Sequence, residues 1–564
     1  MAKNFKNKIE VILLVLILFL AAFLRFYELN TLPPSLFIDE VDSGYQAYSI
    51  FKTGRDYFGN FMPIHFQSLA DWRSPLYLYS TVLTVALFGL NEWGVRLPIA
   101  ISGFFCVWLI FLITKKIFKN QKLAILAAFI MAVNPWSLHY SRGWFEATMM
   151  LALFLAAFYT FLLGLKKRKF LVFSALFFGL TPYAYSIAKF FVPFFLFLLI
   201  LIYKGKLKCF KRKELATPFL ILILLWLPMV NEIIFGQGNT RFNILSIFTD
   251  SNSIGPALHA RFLSTMAVSD RLLLGIHPVS LAVIFHNQLT IWFKIFAVNY
   301  LTSFSPQFLF INGDPNWRHS IPNIGMFYWL ESCSILIGGY WLLAKLKNNK
   351  LKRLFFSWLL LAPIPAAITR DGAGHATRLL FLLPILLIFS ALGFWQIMSF
   401  LKKTVKRKVI MLALFLLFFF NFCWYLFDYR FIYPIEACSW WDYGYKEMIA
   451  VVDENEDKFD SIIFTIPEKE ILQFILFYEK IDPAFFQRNG LPDKYRLAEF
   501  DPGLILKEKF MADQSCQDLY VGKKEEVKNL IRKKKLPDHL SLIQLINYPT
   551  GDIAFYLIRK IDCQ

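Results

Sequence analysis

The chain has 564 residues, of which 57% are hydrophobic and 18% aromatic, and a formal net charge of +20. That is too apolar for an ordinary soluble domain, and the charge does not make it a nucleic-acid binder. From Asp428 onward acids outnumber Lys and Arg by 24 to 19, so the whole basic excess belongs to residues 1–427, as expected of an integral membrane protein whose cations mark the cytoplasmic ends of spans.

Taken in order, Lys3, Lys6 and Lys8 lead into an apolar run from Ile9 to Phe26 with no small-residue cleavage site behind it, which reads as an uncleaved first span with its N-terminus inside. A span needs roughly 20 apolar residues. On that ruler spans are expected near 9–27, 95–118, 122–140, 147–165, 170–187, 188–204, 215–234, 323–344, 353–369, 377–397 and 409–427. Eleven crossings place the C-terminus outside and every basic cluster (Lys115–Lys122, Lys166–Lys169, Lys204–Lys213, Lys345–Arg353, Lys402–Lys408) inside. The polar loops 28–94 and 235–322 then both face out. Pro75 to Leu90 is shorter than a span and reads as a helix in the outer interface. Glu331, inside the eighth apolar run, is expected to face the bundle interior through a hydrogen bond.

After Asp428 the pattern changes. Phe459–Ile466, Leu519–Val521, Leu540–Leu545 and Ile553–Ile558 read as strands and Glu470–Lys480 as a helix, giving a small external α/β domain over 428–564, of ordinary domain size, behind a mainly α-helical polytopic domain over 1–427. It is expected to be a separable lid or acceptor platform. Seven cysteines are scattered with no metal-binding spacing; only Cys438, Cys516 and Cys563 are placed for a disulfide.

The chemistry concentrates at Asp39-Glu40-Val41-Asp42, just beyond the first span. Three acids so close to lipid are costly without a use. The bland alternative is that they cap and solubilise a helix starting at Asp39, after the Pro33-Pro34 break. The three acids read as a catalytic site facing water, and Asp71 is a further acid of the same loop. The cations suited to an anion are Arg378 and His375, one helical turn apart, backed by Lys189, Arg142 and the pair Arg318-His319. For Lys189 and Arg142 a snorkelling role competes, and Glu146, four residues after Arg142, reads as its ion-pair partner. Tyr183, Tyr185, Trp317, Trp440 and Trp441 read mostly as an interface belt.

Arg25, Pro33-Pro34, Asp39-Glu40, Gly54-Arg55-Asp56 with Gly59, Pro63, Ser74-Pro75-Leu76-Tyr77, Phe88-Gly89 and Arg96-Leu97-Pro98 together resemble the first external loop of GT-C glycosyltransferases. The resemblance is to the protein O-mannosyltransferase and aminoarabinose transferase group, in its bacterial dolichyl-phosphate-mannose-protein mannosyltransferase-like branch. It continues through Asn134-Pro135-Trp136, Ser141-Arg142, Glu146, Gly313-Asp314, Arg318-His319 and His375-Ala376-Thr377-Arg378 ahead of Pro384. It implies transfer of a sugar, with inversion, from a polyprenyl-phosphate donor to a protein, glycan or glycolipid acceptor at the outer face of the plasma membrane, with Asp39 as the catalytic base and Glu40 and Asp71 orienting sugar or acceptor. No cofactor follows from it, and without a DxD pair no metal is assigned. The alternative reading, a flippase or polymerase of lipid-linked glycans, predicts paired halves with broken helices at the midplane; the polar residues instead gather on one side.

Overall fold

Among the described residues, seven helices are long and apolar enough to cross a membrane: Lys8–Phe26, Glu92–Phe118, Glu146–Gly164, Ala188–Leu207, Arg212–Phe235, Leu380–Leu401 and Lys408–Glu436. They match seven of the expected spans. The computed structural model describes residues 2–68, 72–249, 254–267, 283–401, 407–464, 468–497, 518–524 and 540–560.

The other four expected spans differ from continuous helices, and in three of them proline sits at the break. Helix Gln121–Val133 stops at Asn134, which caps the short helix Pro135–His139 through Ser137 N–H. Helix Phe170–Leu180 runs into a tight turn over Thr181–Tyr183 that contains Pro182. Asn349–Leu361 is followed by the separate short helix Ile364–Ala367, with Pro363 and Pro365 at the joint. In 323–344 the regular α-helix runs only over Glu331–Tyr340. That helix lies against Leu383–Leu401 at very short range, because a Cβ on Gly338 would sit 1.8 Å from Phe389 O and one on Gly393 1.8 Å from Ser334 O. Small residues permit such an approach. Ser390 Oγ donates to Glu331 Oε1 across the same contact at 2.9 Å, so Glu331 faces the bundle interior as expected.

Outside the first helix, α1 (Ala2–Phe26), the chain forms α2 (Ile38–Thr53), ended by Gly54 at φ +70°. A two-residue antiparallel pair follows, β1 (Phe66–Gln67) with β2 (Trp72–Arg73). Next come α3 (Pro75–Phe88), at the position expected of the interface helix, and α4 (Glu92–Phe118), capped by Asn91.

The C-terminal part is a five-stranded mixed sheet of β3 (Ser461–Phe464), β4 (Tyr495–Leu497), β5 (Asp518–Lys523), β6 (Leu540–Asn547) and β7 (Ile553–Lys560) in the order β4-β3-β5-β7-β6. β3 is parallel to β4 and β5, and β7 is antiparallel to β5 and β6. The expected strands and the helix, here Glu468–Tyr478, are all present. Cys438 is unpaired, and Cys516 and Cys563 lie outside the described residues.

The expectation that this part is separable meets a core shared with the rest of the chain. Val41, Tyr45 and Ala47 of α2, Tyr57 just after it and Val95 of α4 form one buried cluster with Tyr445, Met448, Phe474, Phe477 and Phe555. Gly44 is required at the contact, since a Cβ there would lie 2.5 Å from the Phe477 ring. Each large apolar side chain exposed by removing the C-terminal part forfeits about 1.5–3 kcal/mol. A chain truncated at Asp428 is therefore expected to aggregate when extracted in detergent, whereas the full chain elutes as a single species. A monodisperse truncated protein on size-exclusion chromatography would overturn the shared core.

Candidate functional site

The N-terminal turn of α2 divides its three acids among three environments. Glu40 is wholly buried: its Oε1 and Oε2 accept from Arg96 Nε and Nη2 at 2.8 and 2.9 Å, and from the backbone N–H groups of Trp144 and Phe37. Burial pushes this carboxyl upward and Arg96 pulls it back. Glu40 is thus a buried, paired ion that also caps the helix start, the geometry of the capping reading. The helix begins one residue earlier than expected, at Ile38, whose N–H donates to Asp442 Oδ2 at 2.9 Å.

Asp42 is also fully buried and accepts from Tyr57 Oη at 2.8 Å and Gln473 Nε2 at 2.9 Å. Burial raises its carboxyl against the opposing pull of Arg73. Asp39 is the open member, with 36% of its side chain exposed, and its Oδ1 accepts from Arg73 Nη2 at 2.6 Å.

Arg73 is the residue the sequence reading missed. The β1–β2 pairing and the start of α3 hold it, and its guanidinium contacts Asp39, Asp42, Ser43 and Ser68 over the Trp144 ring. One signal was present: Arg73 is the only Lys or Arg between Arg55 and Arg96.

Trp72 and Ser74, on either side of Arg73, line a cavity of about 260 Å³ with His65, Lys189 and Arg378. Its other walls include Tyr185, Ile187, Phe190, Ile233, Phe242 and Ile368. Lys189 Nζ lies 3.1 Å from His65 Nε2 and 3.1 Å from Gly238 O. Arg378 grips Asp371 through both terminal nitrogens, at 2.5 and 3.1 Å, and donates to Thr369. The cavity is therefore mostly apolar, with cations set into its wall, a form suited to an amphiphile with an anionic head.

The remaining expected residues lie elsewhere. Arg142 donates from Nη1 to Leu24 O and from Nη2 to Tyr27 O, Glu28 O and Leu32 O, which makes it a clamp on the chain leaving the first helix. Arg318 donates to Trp440 O and covers the Phe37 ring. His319 and His375 converge on Asp314, outside the cavity lining. Asp71 lies outside the described residues. Trp441 is no interface anchor: it is fully buried against Phe37, with its indole N–H on Tyr433 Oη.

Residues 72–230 match the sequence model of the dolichyl-phosphate-mannose-protein mannosyltransferase family, a segment that includes Arg73 and Lys189, and this meets the resemblance read from the sequence. Among curated proteins nothing matches. Among solved structures the chain is similar to ArnT from Cupriavidus metallidurans in the apo state (12% identity, 99% of this chain and 98% of that one, TM-score 0.43). It is similar as well to the same protein bound to undecaprenyl phosphate (12%, 96% and 97%, 0.43). An oligosaccharyltransferase from Archaeoglobus fulgidus in complex with Zn and sulfate also matches (14%, 96% and 72%, 0.45).

Two outcomes follow. Arg96→Ala leaves Glu40 a buried charge without its partner, so the folded state is expected to lose about 3–5 kcal/mol; a melting temperature within a degree of the parent's in detergent would refute this. His65 is pushed down to about 4, first by burial and then by Lys189. Below its ordinary value of 6.5 the unfolded chain takes up a proton that the folded chain refuses, so this residue's contribution erodes as pH falls from 6.5 to about 4. Melting curves of His65→Gln, which retains an acceptor for Lys189, are expected to be flatter than the parent's over that window.

Proposed function

We propose that the protein is an inverting membrane glycosyltransferase that moves a sugar from a polyprenyl-phosphate donor to an acceptor hydroxyl at the outer face. The observation that carries this reading is the half-open carboxylate of Asp39, fixed by Arg73, where Arg73 is flanked by residues lining the apolar, cation-studded cavity of Lys189 and Arg378. In this reading the chain crosses the membrane eleven times, its N-terminus in the cytoplasm and its C-terminal domain outside.

The acceptor hydroxyl gives its proton to the Asp39 carboxylate as its oxygen bonds to the anomeric carbon. The bond from that carbon to the phosphate oxygen breaks on the opposite face, and the electron pair leaves with the lipid phosphate. A phosphate leaving group needs cations and donors in place of an acid. Lys189 supplies a point charge. Arg378 supplies a planar fork, which the phosphate reaches by exchanging with the half-exposed Asp371. Arg73 aims Asp39 and tethers it to the buried Asp42. The acceptor class is a protein, a glycan or a glycolipid.

Asp39→Asn keeps size and hydrogen bonding yet cannot take the proton, so transfer from a synthetic polyprenyl-phosphate sugar is expected to fall about 10²–10⁴-fold with an unchanged melting temperature. Near-parental turnover would remove Asp39 from the reaction. Lys189→Ala is expected to weaken donor binding by about 10- to 150-fold, the equivalent of one charge-assisted bond of roughly 1.5–3 kcal/mol, while leaving acceptor binding intact; equal loss for both substrates would place Lys189 outside the phosphate site.

A further inference from the structure

Two loops meet beside the cavity, and where they meet they gather two imidazoles and a carboxylate. One ligand atom each from Asp314, His319 and His375 lies within 4.8 Å of the others. His319 Nδ1 is 3.0 Å from Asp314 Oδ2, and the two imidazole rings stand 4.9 Å apart, tilted by 35°. We propose that Asp314, His319 and His375 form a zinc site that joins the loop 312–320 to the loop 369–378.

The carboxylate is built for this position. Gly313, at φ +73° where a Cβ would strike Ile324 O, turns the chain into Asp314. Asp314 Oδ1 is held by Asn316 N–H at 2.9 Å, and its own carbonyl accepts from Ser320 Oγ at 2.7 Å. Its Oδ2 points toward His319 and is braced by Ala376 N–H, the residue after His375, at 2.8 Å. Metal-binding carboxylates are typically oriented by such outer hydrogen bonds. Asp314 is only 4% exposed, and the Tyr140 and Phe145 rings lie against His319, so the ion would sit on a dry wall.

Two imidazoles and one carboxylate suit a borderline ion that accepts tetrahedral geometry, Zn2+, over the all-oxygen preference of Mg2+ or Ca2+. Three protein ligands leave the fourth position to water or to a substrate oxygen. His375 also supplies the carbonyl that accepts Arg378 N–H at 3.1 Å, so the ion would stiffen the loop that sets Arg378 into the cavity. The proposal stands independently of the transfer reaction. Its competitor is a plain Asp314–His319 hydrogen-bonded pair beside a second imidazole.

The test uses the purified full-length protein in detergent, stripped with chelator. Titration with Zn2+ by calorimetry is expected to show one strong site per chain, weakened at least about 10–100-fold in Asp314→Asn, His319→Ala and His375→Ala. Zn2+ is expected to raise the parent's melting temperature, a readout that survives if a variant does not fold. Co2+ in place of Zn2+ should give visible bands of a tetrahedral ion with nitrogen and oxygen ligands. A parent that binds no tighter than the variants and gains no thermal stability from Zn2+ overturns the proposal. So does a cobalt spectrum with a thiolate charge-transfer band, which would assign the ion to a cysteine, or with only octahedral oxygen features, which would assign it to Asp453, Glu456 and Glu479, the other grouping able to hold a metal among the described residues.

Discussion

The buried pair Glu40–Arg96 fixes the register of α2 against α4 and the segments around them. All five guanidinium N–H donors of Arg96 are used: two on Glu40 and three on the carbonyls of Leu29, Pro33 and Ser35. Glu40 in turn takes the N–H groups of Phe37 and Trp144. A buried ion pair gains little net stability over an apolar substitute, because desolvating both charges offsets most of their attraction. What it supplies is alignment. The end of the first span, the Pro33-Pro34 turn, the start of α2, the start of α4 and the segment before Glu146–Gly164 must all arrive together, or a charge is stranded in the interior.

Once that pair is set, the acids next to it acquire different duties. Glu40 is spent on architecture. Asp42, two residues on, is held by Tyr57 and Gln473 and touches Arg73 at 3.5 Å. Asp39, on the open side of the turn, has the shorter contact to the same arginine, 2.6 Å. Arg73 is thereby anchored from below and offered upward, packed on Trp144. Of the three carboxylates only that of Asp39 reaches the surface.

How much of this was legible in the chain depends on range. Spans with uninterrupted apolar length, such as Glu92–Phe118, and strands with β-branched runs, such as Ser461–Phe464, were legible because length and pattern are local properties. The broken spans were less so: Asn134-Pro135 and Pro363–Pro365 sit within apolar runs, and hydropathy does not register a missing N–H. The partners of Arg142 were not legible because they are carbonyls at the end of the first helix, more than a hundred residues away, and a carbonyl leaves no mark in sequence. Asp39 stood out through its company of acids. Arg73, in a motif singled out for Asp71, was overlooked because its meaning comes only from the fold, which brings it across to α2.

The same reasoning changes the standing of the C-terminal domain. Asp442 caps Ile38, Gln473 holds Asp42, Ile481 O accepts from Tyr45 Oη, and Gln487 reaches the Ser49 and Thr53 hydroxyls and the Asp56 carbonyl. All of these contacts but the last fall on α2 itself, and that one is to the loop just beyond it. A lid that opens freely would have to break several buried polar contacts and an aromatic core together, each unsatisfied buried group costing about 1–3 kcal/mol. The domain therefore belongs to the scaffold that aims Asp39: α2 is held by the membrane bundle through Glu40 on one side and by the tail through Asp42 on the other, so neither part alone determines where the carboxylate points.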